Sequence, residues 1–78
     1  MTDYTPIDCA LYSDYEVAIV QHKRMRLSWR QAGGQLHIEV IRPVDLKTRD
    51  HEEFLLAETL EGKVLELRLD QIIKGEVL

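Results

Sequence analysis

Two runs of alternating apolar and polar residues, joined by a pair of glycines, constrain the fold of this 78-residue chain more than any other feature. Residues 24–30 and 35–41 each alternate with a period of two, which is typical of strands that bury one face. The Ala-Gly-Gly turn between them favours a hairpin. The side chains predicted to face the core are Met25, Leu27 and Trp29 on the first strand and Leu36, Ile38 and Val40 on the second.

The C-terminal part of the chain predicts three more short strands. They cover about residues 53–58, 63–69 and 71–75, with a tight turn at Leu60-Glu61-Gly62-Lys63. Gly75 is expected to end the last strand. This spacing leaves little room for long loops after residue 53.

A proline predicts where the second strand stops. Proline cannot donate to a hydrogen-bond ladder, so Arg42-Pro43 is expected to end that strand. Residues 44–52 are polar and mostly aperiodic, and we interpret them as a connection to the third strand.

A short helix is predicted before the first strand, over about residues 13–21. Ser13-Asp14-Tyr15-Glu16 has the form of a capping box, in which Ser13 and Glu16 satisfy each other's backbone N–H groups. The β-branched residues that follow and the change of period near Lys23 keep this helix short.

These elements predict a mainly β fold: a small Sm-like or SH3-like antiparallel barrel of five to six strands with one short N-terminal α-helix. The length allows a single domain over residues 1–78. A β-sandwich would require more strands than the chain supplies.

Composition bounds the class of protein. No apolar run approaches the roughly 20 residues of a membrane span, and no secretory signal is expected at the N-terminus. The single Cys9 cannot form an internal disulfide, which is typical of a reducing compartment. We therefore expect a cytoplasmic protein with no membrane partner, and a monomer.

The sequence offers no basis for catalysis or for a metal centre. His22, His37 and His51 lie on three separate elements and lack the spacing of metal ligands. Cys9 has no recognisable histidine partner, so it is interpreted as a small buried residue beneath the helix. We expect neither an enzyme nor a bound cofactor.

Charge is distributed unevenly along the chain. The net charge is −4, which is the wrong sign for a protein that binds nucleic acid by neutralising its phosphates, although a local basic patch can override the net charge. The first twenty residues contain no Lys or Arg, and their acidic residues are Asp3, Asp8, Asp14 and Glu16. The next ten contain no acid, and their basic residues are Lys23, Arg24, Arg26 and Arg30.

The basic row at Arg24, Arg26 and Arg30 has two interpretations. It is either a solvated strand face, partly neutralised by Glu39 across the hairpin, or a surface that binds RNA in the manner of Sm proteins. The second interpretation makes the protein an Sm-like RNA-binding module.

The acidic, aromatic N-terminal segment also has two interpretations. It is either a capped helix that covers one end of the barrel, or an exposed anionic surface that docks on a basic groove of another protein. In the second case, aromatic residues supply contact area and carboxylates steer the partner. The residues alone leave both open.

Two motifs resemble the Rof family, the Rho-binding antiterminators of bacteria. The first motif is Tyr4-x-Pro6-Ile7-Asp8-Cys9, followed by Tyr12, Glu16-x-Ala18 and Gln21-His22. The second is Glu66-Leu67-Arg68-Leu69-Asp70-Gln71-Ile72, which is similar to the family's C-terminal Glu-Leu-Arg-Leu-Asp-Lys-Ile. Together they cover nearly the whole chain in the family's order.

The resemblance implies an Sm-like barrel with an N-terminal helix. It also implies binding to the RNA-binding N-terminal domain of transcription termination factor Rho, where the protein blocks the primary RNA site and competes with RNA rather than binding it. By position, the family's contacts correspond to Asp8, Tyr12, Ser13, Asp14 and Glu16 in and before the helix, and to Lys47, Arg49 and Asp50 in the connection.

Overall fold

The computed structural model of the protein describes residues 9–78, with side chains from residue 11 onward. One helix, α1, precedes five strands, which confirms the predicted mainly β class. The elements are α1 (Cys9–Gln21), β1 (Met25–Arg30), β2 (Leu36–Arg49), β3 (Glu52–Thr59), β4 (Val64–Arg68), a 3-10 turn (Leu69–Gln71) and β5 (Ile72–Val77).

The strands form one antiparallel sheet in the order β4-β3-β2-β1-β5. In a flat sheet the two outer strands would lie about 19 Å apart. The 3-10 turn that joins them has only three residues, and such a turn advances about 6 Å. The sheet must therefore curl until its outer strands approach each other, as in a small barrel.

The core lies on the concave face of this sheet, beneath α1. Met25, Leu27 and Trp29 are buried there, as predicted from their alternation. The helix adds Tyr15 and Ala18, both fully buried. The other buried apolar members of this cluster are Ile41, Leu55, Ala57, Leu69 and Ile72.

The predicted core face of β2 is wrong. Leu36 and Ile38 were expected to point inward with Val40, but they are 56% and 59% exposed. Directly opposed residues of an antiparallel pair share a face, and Leu36 pairs with the exposed Arg30. The residues of β2 that share the core face of β1 are His37, Glu39 and Ile41.

The hairpin turn sets this register. The Gln31 N–H donates to the Gln35 carbonyl at 2.8 Å, and Gly33 and Gly34 both adopt positive φ. The predicted turn is confirmed. Its length, however, pairs β1 with β2 in a register that differs by one residue from the expected register. Such a shift exchanges the two faces of a strand.

The predicted connection over residues 44–52 is also wrong, because β2 continues through Pro43 to Arg49. An irregularity between Pro43 and Asp45 interrupts the ladder with β3, so the strand tolerates a residue without an N–H. Asp50 and His51 then form the turn with φ of 52° and 63°. These are the values of a two-residue type I′ hairpin.

The helix begins at Cys9 and not at residue 13, so the predicted capping box is wrong: Ser13 lies inside the helix. Leu11 and Tyr12 pack against the core cluster, and this burial supports the additional turn. The end of the helix at Gln21 is confirmed. His22 has φ of 55°, and the Lys23 N–H donates to the Ala18 carbonyl at 2.9 Å, as in a Schellman motif.

The last strand passes through Gly75 instead of ending there. A Cβ atom at Gly75 would lie 2.9 Å from Cδ2 of Leu27 and 3.1 Å from Cδ1 of Leu11. The glycine therefore lets α1 and β1 approach β5 closely. The predicted turn at residues 60–63 is confirmed by Gly62, which has φ of 88°, and by the Thr59 N–H, which donates to the Lys63 carbonyl at 2.8 Å.

Candidate partner-binding surface

The outer side of α1 carries acidic side chains without counterions in the described part of the chain. Tyr15 and Ala18 face the core, while Ser13, Asp14 and Glu16 are exposed. Within residues 9–78, neither Asp14 nor Glu16 forms an ion pair, and α1 contains no Lys or Arg. Its negative charge is therefore available to a partner.

Apolar side chains lie beside these acids. Val17 is 44% exposed and Val20 is 76% exposed. With Ser13, Glu16 and Gln21 they line a shallow groove along the helix. Exposed β-branched residues three positions apart on one helix face were a signal in the sequence that our predictions did not use.

A second groove joins the helix to β2. Tyr12 and Glu16 contribute from α1, and Asp45 and Leu46 contribute from the strand. Oδ1 of Asp45 accepts a hydrogen bond from the Leu46 N–H at 2.9 Å. Asp45 thus adds a carboxylate that the sequence did not assign to the site. We call Tyr12, Ser13, Asp14, Glu16 and Asp45 the helix surface.

Tyr12 is half-buried where α1 meets β2. Burial raises the pKa of its hydroxyl above the ordinary value of 10.0, and the negative charges of Glu53 and Glu16 raise that pKa further. The phenol therefore stays protonated at neutral pH and can donate a hydrogen bond.

The structure does not bring the other predicted contacts together with the helix surface. Lys47 and Arg49 are exposed and alternate with Leu46, which packs against the core, so they lie on the opposite face of β2. Arg49 is bound to Glu66, with Nη2 2.7 Å from Oε1, and its guanidinium lies 4.7 Å from the centroid of the Phe54 ring. Asp50 lies at the exposed hairpin turn.

Two predictions fall outside the described part of the molecule. Asp8 precedes the described residues, and the side chain of Cys9 is not described although its backbone begins α1. The contact expected of Asp8 and the buried position expected of Cys9 stay predictions.

The basic row predicted on β1 is only partly neutralised, and not by Glu39. Nη1 of Arg26 lies 3.8 Å from Oε1 of Glu76 on β5. Glu39 instead binds His37 on the opposite face, with Oε1 2.6 Å from Nε2. Arg30 is exposed on β1, and Arg24 is exposed just before it.

The outer face of β3 and β4 holds its charges in pairs with neighbouring strands. Nη2 of Arg42 lies 3.2 Å from Oε1 of Glu58. Arg68 donates from Nε and Nη2 to the two carboxylate oxygens of Asp70, both at 2.6 Å, and its Nη1 lies 2.9 Å from Oε2 of Glu52. Together with Arg49–Glu66, we call these pairs the charge ladder.

The described side chains contain no group of three or more His, Cys, Asp and Glu residues arranged to hold a metal ion. Over the same residues, no helix has both the length and the apolar character that crossing a membrane requires.

Comparison with known proteins bears on the fold. No model of a known protein family matches the sequence, and no curated protein matches it. Among solved structures, the chain is similar to proteasome accessory factor B/C (PafBC) of Arthrobacter aurescens, with a TM-score of 0.82 and 18% sequence identity. The match covers 99% of this chain but 12% of that chain. At this identity the likeness concerns the fold alone.

Proposed function

We propose that the protein is a non-enzymatic antiterminator that acts in the cytoplasm. It binds the N-terminal RNA-binding domain of transcription termination factor Rho and blocks the primary RNA site. Rho then cannot load on a transcript, and Rho-dependent termination is inhibited.

The observation that carries this proposal is the unpaired acidic helix surface. A cleft that binds RNA must present basic groups, so a surface with Asp14, Glu16 and Asp45 is complementary to it. Glu16 and Asp45 lie beside Tyr12, which supplies aromatic contact area and a hydrogen-bond donor. The choice of Rho as the partner rests on the resemblance of the N-terminal and C-terminal motifs to the Rof family.

The exposed valines add an apolar contribution to the same interface. Val17 and Val20 lie next to Glu16 on the outside of α1. Apolar contacts at the centre of an interface, surrounded by charged groups, are typical of specific protein complexes. Among the contacts implied by the resemblance, we give Tyr12, Ser13, Asp14 and Glu16 precedence over Arg49, because Arg49 is already bound within the charge ladder.

The competing function is direct RNA binding by Arg24, Arg26 and Arg30. Arg26 shares its charge with Glu76, and the neighbouring side chains Leu36 and Ile38 are exposed aliphatic groups that give bases no aromatic surface. This surface is therefore the weaker candidate.

Co-purification with Rho, combined with a termination assay, tests the proposal. The wild-type protein should bind Rho and increase read-through at a Rho-dependent terminator. Asp14→Lys/Glu16→Lys should lose both activities, with binding weakened by more than about a hundredfold, because like charges would face each other across the interface. Glu61→Lys is the control, since Glu61 is exposed in the turn between β3 and β4, lines neither groove of the helix surface and forms no ion pair with a described residue.

Two outcomes would contradict the proposal at different levels. If the wild-type protein neither binds Rho nor relieves termination, the function is wrong. If the double variant still inhibits termination fully while remaining folded, the helix surface is wrong even though Rho is the partner.

A further inference from the structure

The concave face of the sheet carries polar and aromatic groups at the end of β1 that α1 does not cover. His37 and Glu39 lie on this face because they pair with Trp29 and Leu27. A half-buried His–Glu pair on the core side of a small domain loses part of its hydration. An apolar residue would pack there without that loss, so the pair points to a role beyond packing.

Two neighbouring grooves open at this end of β1, with volumes of about 380 Å³ and about 280 Å³, and His37 and Glu39 line the smaller one. They share Trp29, Gln31, Glu66 and Leu67, and so form one cleft, which we call the Trp29 cleft. No described residue of α1 lines it. The cleft stays open because β1 and β4 are not paired with each other in the sheet.

The indole of Trp29 presents a hydrogen-bond donor to the cleft. The side chain is only 5% exposed, yet no described residue accepts a hydrogen bond from its Nε1–H. This nitrogen is not among the fully buried polar atoms, so it retains contact with solvent. Trp29 lines both grooves of the cleft, so a ligand bound there lies next to the indole.

The ring of His37 is fixed in place at the mouth of the cleft. Its centroid lies 4.8 Å from that of Trp29, with an angle of 52° between the rings. Its Nε2 is held by Oε1 of Glu39 at 2.6 Å, while 37% of the side chain remains exposed. A ring that is already immobilised loses little conformational entropy when a planar group stacks on it.

Cations at the rim can meet an anionic group of a ligand. Of the three cleft carboxylates, Glu66 is paired with Arg49, and Glu39 is in contact with the His37 ring. Among the described residues, the rim cations without an ion pair are Arg30 and Lys63, against the single carboxylate of Glu61.

We propose that the Trp29 cleft binds a nucleotide. Its base stacks on His37 and accepts a hydrogen bond from the Trp29 Nε1–H, and its phosphate lies near Lys63 or Arg30. An arginine side chain of a partner protein could also stack on His37, but it has no acceptor for the indole N–H and its charge repels both rim cations. This site goes beyond the proposed inhibition of Rho and can be tested without Rho.

Trp29 makes the test direct, because it is the only tryptophan in the chain. The single indole N–H resonance, and fluorescence excited at a wavelength that tyrosine does not absorb, therefore report on Trp29 alone. We would titrate the protein with cytidine and adenosine monophosphates, with single-stranded oligocytidine and oligoadenosine RNA, and with a blocked arginine amide. Titration with at least one of the nucleotides should shift the indole resonance, and the shift should saturate.

The arms distinguish the source of the nucleotide. Binding that strengthens markedly from monophosphate to oligonucleotide identifies single-stranded RNA as the ligand, whereas equal affinities identify a free nucleotide. Either result supports the cleft. An indole resonance that does not move with any nucleotide, or that responds more strongly to the arginine amide, overturns the proposal.

Three variants test the assigned contacts. His37→Ala should weaken binding by about tenfold or more, because it removes the stacking surface. Lys63→Ala should weaken binding a few-fold and reduce its salt dependence. Lys74→Ala is the matched control, since Lys74 is exposed, has no ion pair among the described residues and lies outside the cleft. It should leave binding unchanged.

The variants also separate the cleft from the basic row. Circular dichroism would verify that each variant is folded, and Lys63→Ala, at an exposed position, keeps the test decisive if His37→Ala does not fold. If Arg26→Ala abolishes nucleotide binding while the folded cleft variants bind normally, the ligand lies on the strand face and the proposal is wrong.

Discussion

The helix surface and the charge ladder contain the same kinds of charged residue in opposite arrangements. On the ladder, each arginine lies within 3.2 Å of a carboxylate from another strand or from the adjacent turn. On the helix surface, Asp14 and Glu16 have no such counterion among the described residues. One set of charges is neutralised within the fold, and the other is left to the surroundings.

This difference teaches how a count of charges can mislead. The chain has 10 basic and 14 acidic residues, and the four extra acids alone do not identify a site. Ion pairs within the sheet neutralise the charge of most of the arginines. The acids of α1 are among the charges that stay unpaired, and their grouping on one helix, rather than the total charge, points to a basic partner.

The largest effect on stability is expected from a substitution that breaks the charge ladder. Arg68→Ala removes one ion-pair partner from each of Glu52 and Asp70, and the Asp70 side chain is only 8% exposed. We expect the free energy of unfolding to fall by about 2 kcal/mol, because half-buried carboxylates lose charge-assisted hydrogen bonds. Chemical denaturation measures this loss. The folded variant should bind Rho as the wild type does, and weaker binding would show that the two surfaces are coupled.

A smaller effect is expected from Tyr12 at high pH. Its pKa is raised in the folded protein by burial and by Glu53 and Glu16, so the neutral phenol contributes stability that is fully present below its ordinary pKa of 10.0. That stability is lost as the pH rises through the higher folded pKa. Above pH 10, the melting temperature of the wild type should therefore fall relative to that of Tyr12→Phe. A difference that is constant with pH would contradict this environment for Tyr12.

The smallest effect is expected from the acids of the helix surface. Asp14→Ala and Glu16→Ala remove no ion pair within residues 9–78, so each should change the free energy of unfolding by less than about 0.5 kcal/mol. Urea denaturation of the two variants measures it. A loss above about 1 kcal/mol in either variant would mean that these acids serve the fold.

Local signals in the sequence predicted much of the sheet. The alternation of Met25, Leu27 and Trp29 correctly located β1 and its buried face. Glycine signals correctly located the turns at 32–34 and 60–63. These features depend on neighbouring residues, and so a sequence reveals them.

The errors arose where tertiary packing overrides local preference. Pro43 was expected to stop β2, but an irregularity in the ladder accommodates it. The turn at Asp50 and His51 adopts positive φ without glycine, so no composition signal marked it. Both errors concealed the length of β2, and with it the fact that Arg49 faces away from the helix.

The candidate site was predictable in part. The motif around Tyr12 to Glu16 gave the residues of the helix surface, but Asp45 joins them only through the packing of β2 against α1. The Trp29 cleft was not predicted, because the assumed register turned His37 and Glu39 away from the core. A pattern of period two cannot by itself reveal which face of a strand is buried when both faces carry large residues.

The most direct test of the helix surface compares two single substitutions, Glu16→Lys and Glu61→Lys. Both residues are exposed and lack an ion pair among the described residues, and each substitution changes the net charge equally. The affinity of each variant for the N-terminal domain of Rho would be measured by calorimetry. Glu16→Lys should weaken binding by at least about tenfold, while Glu61→Lys should remain close to the wild type. Equal weakening by both variants would show that only net charge matters and would contradict a docking surface on the helix.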